Sequence, residues 1–299
     1  MKLEKLKICN LCESNKINFI DRNNNICQCK NCGYVFDNPR PTWDEIISYY
    51  SQSDKYDSYF KMEKERDLLW KRRLKLIKKY KRSGNLLDVG TGPAQFLFFA
   101  QNYFKVKGTE ISESAISIAK QKYNIDVIQG EIESIAFNSK FDVITLIHVL
   151  EHVPSPSLTI KRCKELLNNE GILFIAVPND LVGIKSILKR LLSFFKIGKF
   201  KNYGMLGLPK LALDKSQNEI HLSHFKASVL EKFLKRNGFK IIDNTLDPDY
   251  TAKGIKKVLN VFLYFYCLAL MKIFKINLYD KIWIVAKIGE KPIIKGFVN

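Results

Sequence analysis

The sequence predicts an α/β fold, a doubly wound and mostly parallel sheet preceded by a small cysteine-rich unit. Strand-like and helical stretches alternate over residues 84–180, an arrangement typical of parallel sheets with crossover helices. Five of the seven cysteines lie within the first 32 residues. With 299 residues, 46% of them hydrophobic and 26% charged, the chain can bury a large core, and its composition excludes a disordered or fibrous protein.

The cysteines of residues 1–41 have the spacing of a metal site. Two CxxC pairs are separated by 16 residues, which is typical of two zinc knuckles that share one tetrahedral ion. The four predicted ligands are Cys9, Cys12, Cys29 and Cys32. Cys27 is a competing ligand, but Cys29 and Cys32 repeat the spacing of the first pair. Four thiolates close the coordination sphere, so we expect a structural zinc ribbon, with free buried thiols as the alternative.

Residues 42–83 are expected to form a helical linker or cap, because apolar side chains recur there at helical spacing among Lys and Arg. The α/β domain is predicted to span 84–299. Five strand-like runs begin it: NLLDVG, KVKGTE, DVIQG, FDVITLIH and GILFIAV, starting at residues 85, 105, 126, 141 and 171. Helices are expected between them, over 94–103, 112–123 and 157–168. A helix and a strand within 222–246 and a final strand, KIWIVAKIG, complete the sheet.

Two segments of the α/β domain are both apolar and basic. One lies in an insertion, 181–220, and the other is an apolar helix over 255–275. Such helices can lie on an anionic membrane surface or cover a substrate, and packing against the core or in a dimer is the alternative. The longest uncharged stretch has 14 residues, Val258 to Met271, so we expect no conventional transmembrane helix.

The net charge of +19 is concentrated in three segments. Residues 61–82 contain 11 Lys and Arg and 3 acids, residues 181–210 contain 7 and none, and residues 253–275 contain 5 and none. Together these segments account for +20, so the rest of the chain is close to neutral. Basic patches of this kind suggest a nucleic-acid partner, and solvated helix faces are the simpler interpretation.

The stretch NLLDVGTGPAQFLFFA has the pattern of a nucleotide-type site. A strand ends at Asp88, a turn with Gly90 and Gly92 follows, and a helix begins after it. Glycines at such a turn let a ligand approach the backbone, and the helix N-terminus offers unpaired N–H groups. The next strand ends at Glu110, where an acid can accept hydrogen bonds from ribose hydroxyls. A tight turn without a ligand is the alternative, and the loop lacks the GxGxxG pattern of nicotinamide-binding folds.

These motifs resemble a class I S-adenosylmethionine-dependent methyltransferase over residues 84–180 and again over 221–288. The resemblance rests on LLDVGTGPAQFL, KGTEIS, IQGEIES, FDVITLIHVLEHVPSP and LLNNEGILFIAVPN, in that order. It implies a Rossmann-like sheet of seven strands and S-adenosylmethionine as the methyl donor. The CxxC…CxxCG…NPRP opening is similar to the zinc-ribbon heads of methyltransferases that act on sugars, polysaccharides or natural products.

The resemblance also implies which residues bind the cofactor. From its methionine end to its adenine, they are Asp88, Gly90, Gly92, Glu110, Glu131 and Ile132. Glu110 would hold the ribose. Ala94 stands where the family often has a third glycine, and Glu131 replaces a more common aspartate.

All four histidines fall in two short motifs, HVLEH and HLSH. His148 follows the fourth strand at the carboxyl edge of the sheet, so it is a candidate general base or substrate contact. A hydrogen-bonded histidine at a strand end is the alternative. His221 and His224 are placed at the opening of the helix after the insertion, where either could act on substrate or cap the helix. The resemblance makes His152 a structural residue of the family.

The leading hypothesis is methyl transfer to a small-molecule or glycan acceptor, including a nucleotide sugar or a lipid-linked molecule. An RNA-modifying or RNA-binding protein is the alternative, but the sequence has no Pro-Pro tetrapeptide of the amino-methylating enzymes, so we do not expect a nucleic-acid partner. A non-catalytic scaffold is the third hypothesis, motivated only by Ala94. The N-terminus lacks the apolar stretch of a secretory signal, so we expect a cytoplasmic protein, in peripheral contact with the inner face of the membrane if the apolar helices bind lipid.

Overall fold

The computed structural model describes residues 2–52, 56, 62–213 and 219–289. The N-terminal unit contains five short strands: β1 (Leu3–Glu4), β2 (Ile17–Asp21), β3 (Ile26–Cys29), β4 (Val35–Asp37) and β5 (Arg40–Pro41). Strands β2, β3 and β4 form an antiparallel meander, and β1 pairs with β5. Cys9 and Cys12 lie between β1 and β2, Cys29 ends β3, and Cys32 lies in the turn before β4.

The main sheet of the described residues has seven strands, which confirms the predicted fold class. The remaining strands are β6 (Asn85–Val89), β7 (Lys105–Glu110), β8 (Ile128–Gln129), β9 (Phe141–Ile147), β10 (Leu167–Pro178), β11 (Ser223–His224), β12 (Phe239–Thr245) and β13 (Lys281–Ile288). The order in the main sheet is β12-β13-β10-β9-β6-β7-β8. Strand β13 lies antiparallel between β10 and β12, and the pairs from β10 to β8 are parallel.

The central strands are buried on both faces, which explains why their sequences are almost continuously apolar. In β13, every residue from Ile282 to Ala286 is buried, and Trp283 packs near Phe174 of β10. Helices cover the two faces, and the sheet separates the core into two large clusters. The parallel strands end at one edge of the sheet, and this edge carries the candidate site.

Eight α-helices lie within the described residues: α1 (Trp43–Tyr50), α2 (Glu63–Ile77), α3 (Gln95–Ala100), α4 (Glu113–Tyr123), α5 (Pro156–Leu166), α6 (Ile184–Phe194), α7 (Ala227–Arg236) and α8 (Gly254–Phe274). The helix predicted over 94–103 is shorter than expected, because Ala94 belongs to the turn before it and residues 101–103 form turns after it. Helix α4 agrees with the prediction to within one residue, and its N-cap is Ser112, whose hydroxyl accepts a hydrogen bond from the Ala115 N–H.

Helix α2 uses much of its basic character inside the molecule. It buries Leu69, Trp70 and Leu74 against the sheet domain. Arg73 lies on the same buried face, and Arg72 donates a hydrogen bond to the Pro248 carbonyl. Part of the first basic segment therefore fastens the cap to the domain.

The cysteine-rich unit and the α/β domain share a sheet and a core. Strand β11, which the sequence places in the α/β domain, pairs antiparallel with β4, and the Tyr34 hydroxyl is hydrogen-bonded to the Ser223 hydroxyl. Tyr34 and Phe225 pack against each other in one hydrophobic cluster. His224 therefore lies on a strand, and the helix that follows begins only at Ala227.

The insertion folds onto the cysteine-rich unit. Its helix α6 is followed by a 3-10 turn, Gly198–Asn202. Asn24 donates a hydrogen bond to the Leu208 carbonyl over 2.8 Å, and the Met205 N–H donates to Asp21 over 2.9 Å. Residues 214–218 of the insertion lie outside the described residues.

Helix α8 is the one described helix that is long and apolar enough to cross a membrane by length and composition. The sequence expectation of no conventional transmembrane helix considered the 14-residue uncharged stretch alone, whereas the helix continues past that stretch to 21 residues. Only 17% of its most apolar 18-residue window is buried.

Candidate functional site

A cavity of about 430 Å³ opens at the carboxyl edge of the main sheet. Its floor is formed by the ends of β6, β7 and β9 and by the turns that follow them. All the predicted cofactor residues line it: Asp88, Gly90, Gly92, Glu110, Glu131 and Ile132. The structure thus brings together residues that lie as far as 44 positions apart in the chain.

Glu110 fixes the glycine turn to the neighbouring strand. Its Oε2 accepts a hydrogen bond from the Gly92 N–H over 2.8 Å. Its Oε1 accepts from the N–H groups of Ile111 and Ser112. Burial raises the pKa of Glu110, while these backbone donors favour the carboxylate and oppose the shift. The carboxylate is therefore held in one position at the rim of the cavity.

Asp88 is the second buried acid of the cavity. It is 4% exposed, and Oδ1 accepts a hydrogen bond from the Thr145 hydroxyl over 2.5 Å. Burial raises the pKa of Asp88 to about 6, although this hydrogen bond favours the carboxylate. The side chain therefore titrates just below neutral pH.

The turn between Asp88 and helix α3 depends on left-handed backbone. Gly90 and Gly92 have φ values of 61° and 57°. A Cβ at Gly90 would lie 2.7 Å from a methyl group of Val149, whereas a Cβ at Gly92 would meet nothing within 4 Å. Gly90 is therefore required for packing, and Gly92 leaves its backbone open to the cavity.

The cap contributes residues to the cavity that the sequence analysis did not identify. Trp43 of α1 donates a hydrogen bond from its indole N–H to Glu131 over 2.6 Å. Trp70 of α2 also lines the cavity, and its indole N–H donates to Gln95. Helical spacing marks Trp70 as a core residue, and only the density of aromatic side chains in 43–70 hints at a cavity wall.

His148 lies on the cavity wall in a conformation uncommon for a residue with a side chain. Its φ is 58°, in the left-handed region, just after β9. Its Nδ1 lies 3.2 Å from Glu151 Oε1, and its Nε2 lies 3.1 Å from Arg73 Nη2. Burial lowers the pKa of His148, but Asp247 and Glu151 outweigh it and raise the pKa. With Nε2 unprotonated, the ring accepts a hydrogen bond from Arg73 and donates from Nδ1 to Glu151. With Nε2 protonated, the ring faces Asp247 Oδ2 at 3.5 Å.

Arg73 and Asp247 form a buried ion pair behind His148. Their side chains are 3% and 0% exposed, and Arg73 Nε donates to Asp247 Oδ1 over 2.9 Å. Burial alone would raise the pKa of Asp247, but the guanidinium holds it well below its ordinary range. Neither residue is marked as a site residue by the sequence, because each lies in a segment whose pattern indicates only a helix or a strand end.

The other three histidines form a group next to the cavity. His152 lines the cavity and donates from Nδ1 to the Ile220 carbonyl over 2.6 Å. The rings of His152 and His221 are 4.9 Å apart, and His221 Nδ1 lies 3.1 Å from Asp180 Oδ2. His221 does not line the cavity, so of the three predicted catalytic histidines only His148 does so.

His224 lies deeper, between two carboxylates. Its Nε2 lies 2.9 Å from Asp37 Oδ2 of the cysteine-rich unit, and its Nδ1 lies 3.7 Å from Asp180 Oδ2. Burial lowers the pKa of His224, but the two acids outweigh burial and raise it to about 9. A protonated His224 thus links Asp37 to Asp180, and the contact joins the two parts of the chain.

The four predicted zinc ligands converge on one point. The Sγ atoms of Cys9 and Cys32 are 3.7 Å apart, and those of Cys12 and Cys29 are 3.6 Å apart. All four lie within 4.8 Å of one another. A tetrahedral zinc ion with Zn–S bonds of about 2.3 Å would place its ligands about 3.8 Å apart. Cys27 points elsewhere, toward the Asn38 carbonyl, so the geometry favours Cys29 over Cys27.

Comparison of the sequence with known proteins identifies one family. The profile of the family described as "Methyltransferase domain" matches residues 62–244, more than half of the chain. The "Ubiquinone biosynthesis O-methyltransferase" of Coxiella burnetii is 36% identical over 102 residues, covering 32% of this chain and 44% of that protein. The protein of the same name from Haemophilus ducreyi is 32% identical over 126 residues, covering 36% and 53%. The match thus spans about half the length of these relatives.

Solved structures share the fold at low sequence identity. The DhpI complex with SAH superposes with a TM-score of 0.52 and 12% identity, covering 83% of this chain and 97% of that chain. A Thermotoga maritima structure titled a SAM-dependent methyltransferase, possible histamine N-methyltransferase, gives 0.50 and 15%, covering 82% and 99%. These similarities support the architecture described above.

We expect His224→Gln to destabilise the protein in a pH-dependent manner. Because the folded-state pKa is raised from 6.5 to about 9, the imidazolium stabilises the fold below the lower value, and the effect is lost as pH rises through the upper one. Urea unfolding near pH 7 should show a loss of roughly 2–3 kcal/mol, which shrinks near pH 10.

His152→Gln is the matched control for that measurement. Burial lowers the pKa of His152, so its ring is neutral across this interval and its replacement should cost the same near pH 7 and near pH 10. A deficit of His224→Gln that stays constant between the two pH values would contradict the charged contact.

Proposed function

Because the chain belongs to the methyltransferase domain family, we propose that it transfers a methyl group from S-adenosylmethionine to a small-molecule or glycan acceptor. The observation that carries this proposal is the Glu110 carboxylate, held by the Gly92 N–H at the rim of the cavity. This contact places an acid suited to ribose hydroxyls beside backbone that a ligand can approach.

The residues of the cavity fit such a cofactor. The open backbone at Gly92 leaves room for a ligand where a side chain would intrude. Asp88 offers a carboxylate for the charged methionine end, and Ile132 offers an apolar surface at the far end, beside Glu131. When bound, S-adenosylmethionine supplies a methyl group on a sulfonium, which is an activated leaving group. The protein then has to orient the acceptor, exclude water and receive a proton where the acceptor releases one.

His148 is our candidate for the proton acceptor. It lines the cavity, and Glu151 fixes its ring from the Nδ1 side. Arg73 Nη2 is in contact with Nε2, so the ring can receive a proton at this nitrogen only after Arg73 moves away from it. The two hydrogen bonds from Arg73 to Asp247 can persist during this change. We assign His221 to a positioning role, because it lies behind His152 and pairs with Asp180.

Two features support a small acceptor. The cavity of about 430 Å³ is covered by aromatic side chains of the cap, including Trp43 and Trp70. Two relatives that match about a third of this chain are named for O-methyl transfer in ubiquinone biosynthesis, and ubiquinone is a small molecule. The similarity of the N-terminal unit to the heads of sugar methyltransferases extends the proposal to glycan and lipid-linked acceptors.

We also propose that the cysteine-rich unit holds one structural zinc ion. The thiol separations of 3.6 and 3.7 Å are close to the edge of a zinc–thiolate tetrahedron. Four thiolates leave no open position, so the ion would stabilise the unit and, through β11, the histidine group beside the cavity.

Replacing Glu110 with Gln should weaken cofactor binding. The variant loses the charge that strengthens hydrogen bonds from ribose hydroxyls, so we expect affinity for S-adenosylhomocysteine to fall about tenfold or more in calorimetry. Glu113→Gln, three residues along the chain and exposed, is the matched control and should bind like the wild type. Equal affinity of the Glu110 variant and the wild type would count against the assignment.

Cofactor affinity should depend on the charge of Asp88. With a pKa of about 6, most Asp88 side chains are charged near pH 7.5 and few are charged near pH 5. Calorimetry should therefore show affinity up to about tenfold weaker near pH 5. Asp88→Asn should bind weakly at both values, with little pH dependence. A wild-type affinity that does not change between these conditions would exclude this role for Asp88.

Removal of one zinc ligand should release the metal. Cys12→Ser leaves three thiolates, so its zinc content after dialysis should fall well below one ion per chain in mass spectrometry of the metal. Its thermal midpoint should fall as well. Cys27→Ser is the matched control, because Cys27 lies outside the cluster, and it should keep its zinc. Loss of zinc from Cys27→Ser together with retention in Cys12→Ser would overturn the ligand set.

A further inference from the structure

Helix α6 turns its polar face inward and its apolar face outward. Arg190 donates hydrogen bonds to the Leu206 and Leu181 carbonyls, and Ser193 donates to the Tyr203 carbonyl over 2.8 Å. The outward face exposes Leu188, Leu191 and Phe194, the last of them by 80%. An ordinary surface helix of a globular protein has the opposite orientation.

Helix α8 also exposes an apolar face. Tyr264, Cys267 and Met271 form the buried stripe that packs on the domain. Ile255, Phe262 and Ile273 lie on the opposite side by helical geometry, and each is at least 70% exposed. Contiguous apolar surface of this extent on a protein marks an interaction site.

The two helices lie at the same corner of the molecule. Ile184 at the start of α6 packs on the cluster that contains Tyr264 and Met271 of α8. The Ile184 N–H also donates to the Leu278 carbonyl, four residues beyond the end of α8. We call the outward apolar residues of α6 and α8 the outer patch.

The charged side chains of the two segments that carry the outer patch are all basic. Residues 181–210 contain seven Lys and Arg and residues 253–275 contain five, with no acid in either segment. Two of these cations pair with acids from elsewhere, Lys185 with Asp280 and Lys253 with Glu65. Others, such as Lys256, Lys272 and Lys275, are exposed beside the apolar residues.

From this arrangement we propose that the outer patch docks on the surface of an anionic lipid bilayer. Apolar side chains enter the boundary between headgroups and acyl chains, and the flanking lysines meet the negative headgroups. A second copy of the chain fits less well, because its own patch carries the same positive charge and the two would repel. The charge therefore selects lipid as the occupant.

The geometry requires α8 to lie along the bilayer and not to cross it. Strands β12 and β13, which flank the helix in the chain, are paired with each other in the main sheet. A helix of 21 residues is about 30 Å long. The six residues 275–280 can span at most about 21 Å, so they cannot return from the far side of a bilayer to β13. The buried stripe of α8 leads to the same conclusion, since it holds the helix on the domain.

Vesicle flotation of the full chain tests the proposal. We expect the wild type to float with vesicles of phosphatidylcholine mixed with phosphatidylglycerol, to bind phosphatidylcholine alone more weakly, and to lose binding as salt is raised. The double variant Phe262→Ser and Phe265→Ser should float at least about tenfold less, because two aromatic rings of the outer patch, which are 73% and 56% exposed, no longer enter the bilayer. Leu158→Ser is the matched control, since Leu158 is 56% exposed on α5, away from the patch, and it should float like the wild type.

Two further measurements separate the outcomes. Both the double variant and the wild type should bind S-adenosylhomocysteine equally in calorimetry, which shows that the variant is folded. A wild type that binds this ligand but stays at the bottom of the gradient with both kinds of vesicle would overturn the docking proposal and leave the proposed function intact. A wild-type dimer in sedimentation velocity that the double variant dissociates, without flotation, would assign the patch to a second copy and equally overturn it.

Discussion

The architecture around the cavity depends on the buried ion pair between Arg73 and Asp247. Arg73 belongs to the cap helix α2, and Asp247 follows β12 near the end of the sheet domain. The pair therefore fastens the cap over the cavity and, through the contact of Arg73 with His148, sets the position of the candidate base. Two charges buried to this degree stabilise a fold only as a pair, and the loss of one partner leaves an uncompensated charge that costs about 3–5 kcal/mol. The site is thus built on a contact between segments 174 residues apart.

A second long-range contact joins the cysteine-rich unit to the domain. Strand β11 extends the sheet of the unit, and its His224 is bound to Asp37 on one side and faces Asp180 on the other. The cysteine-rich unit, attached in this way, is part of the wall that supports His221 and His152. This arrangement explains why a small unit with little apolar mass is buried so well, since its Tyr34 and Phe36 enter the main hydrophobic cluster.

The sequence predicts the parts of the site that follow from local rules. Asp88, Glu110 and His148 each follow a strand, and parallel strands bring their carboxyl ends to one edge, so their proximity is implied by the pattern. The strands and most helix bounds follow from periodicity in the same way. Arg73 and Asp247 could not be predicted, because their meeting depends on how the cap folds over the sheet. Periodicity also does not tell whether the apolar side of α6 faces inward, since the pattern is the same in both orientations.

The structure also bears on the hypothesis of a non-catalytic scaffold, which rests on Ala94. Ala94 has a φ of 60° and is fully buried, and it does not line the cavity. Relative to glycine, an alanine in left-handed backbone destabilises the fold by about 1–2 kcal/mol. Burial of its methyl group stabilises the fold by about 0.8 kcal/mol. The alanine thus has a small effect on stability, and its methyl group packs in the core cluster with Phe96 and Leu97, away from the space that a ligand would occupy. The one sequence feature that favours a degenerate pocket is therefore a packing variation behind the turn, and the turn keeps Gly92 and Glu110 in contact.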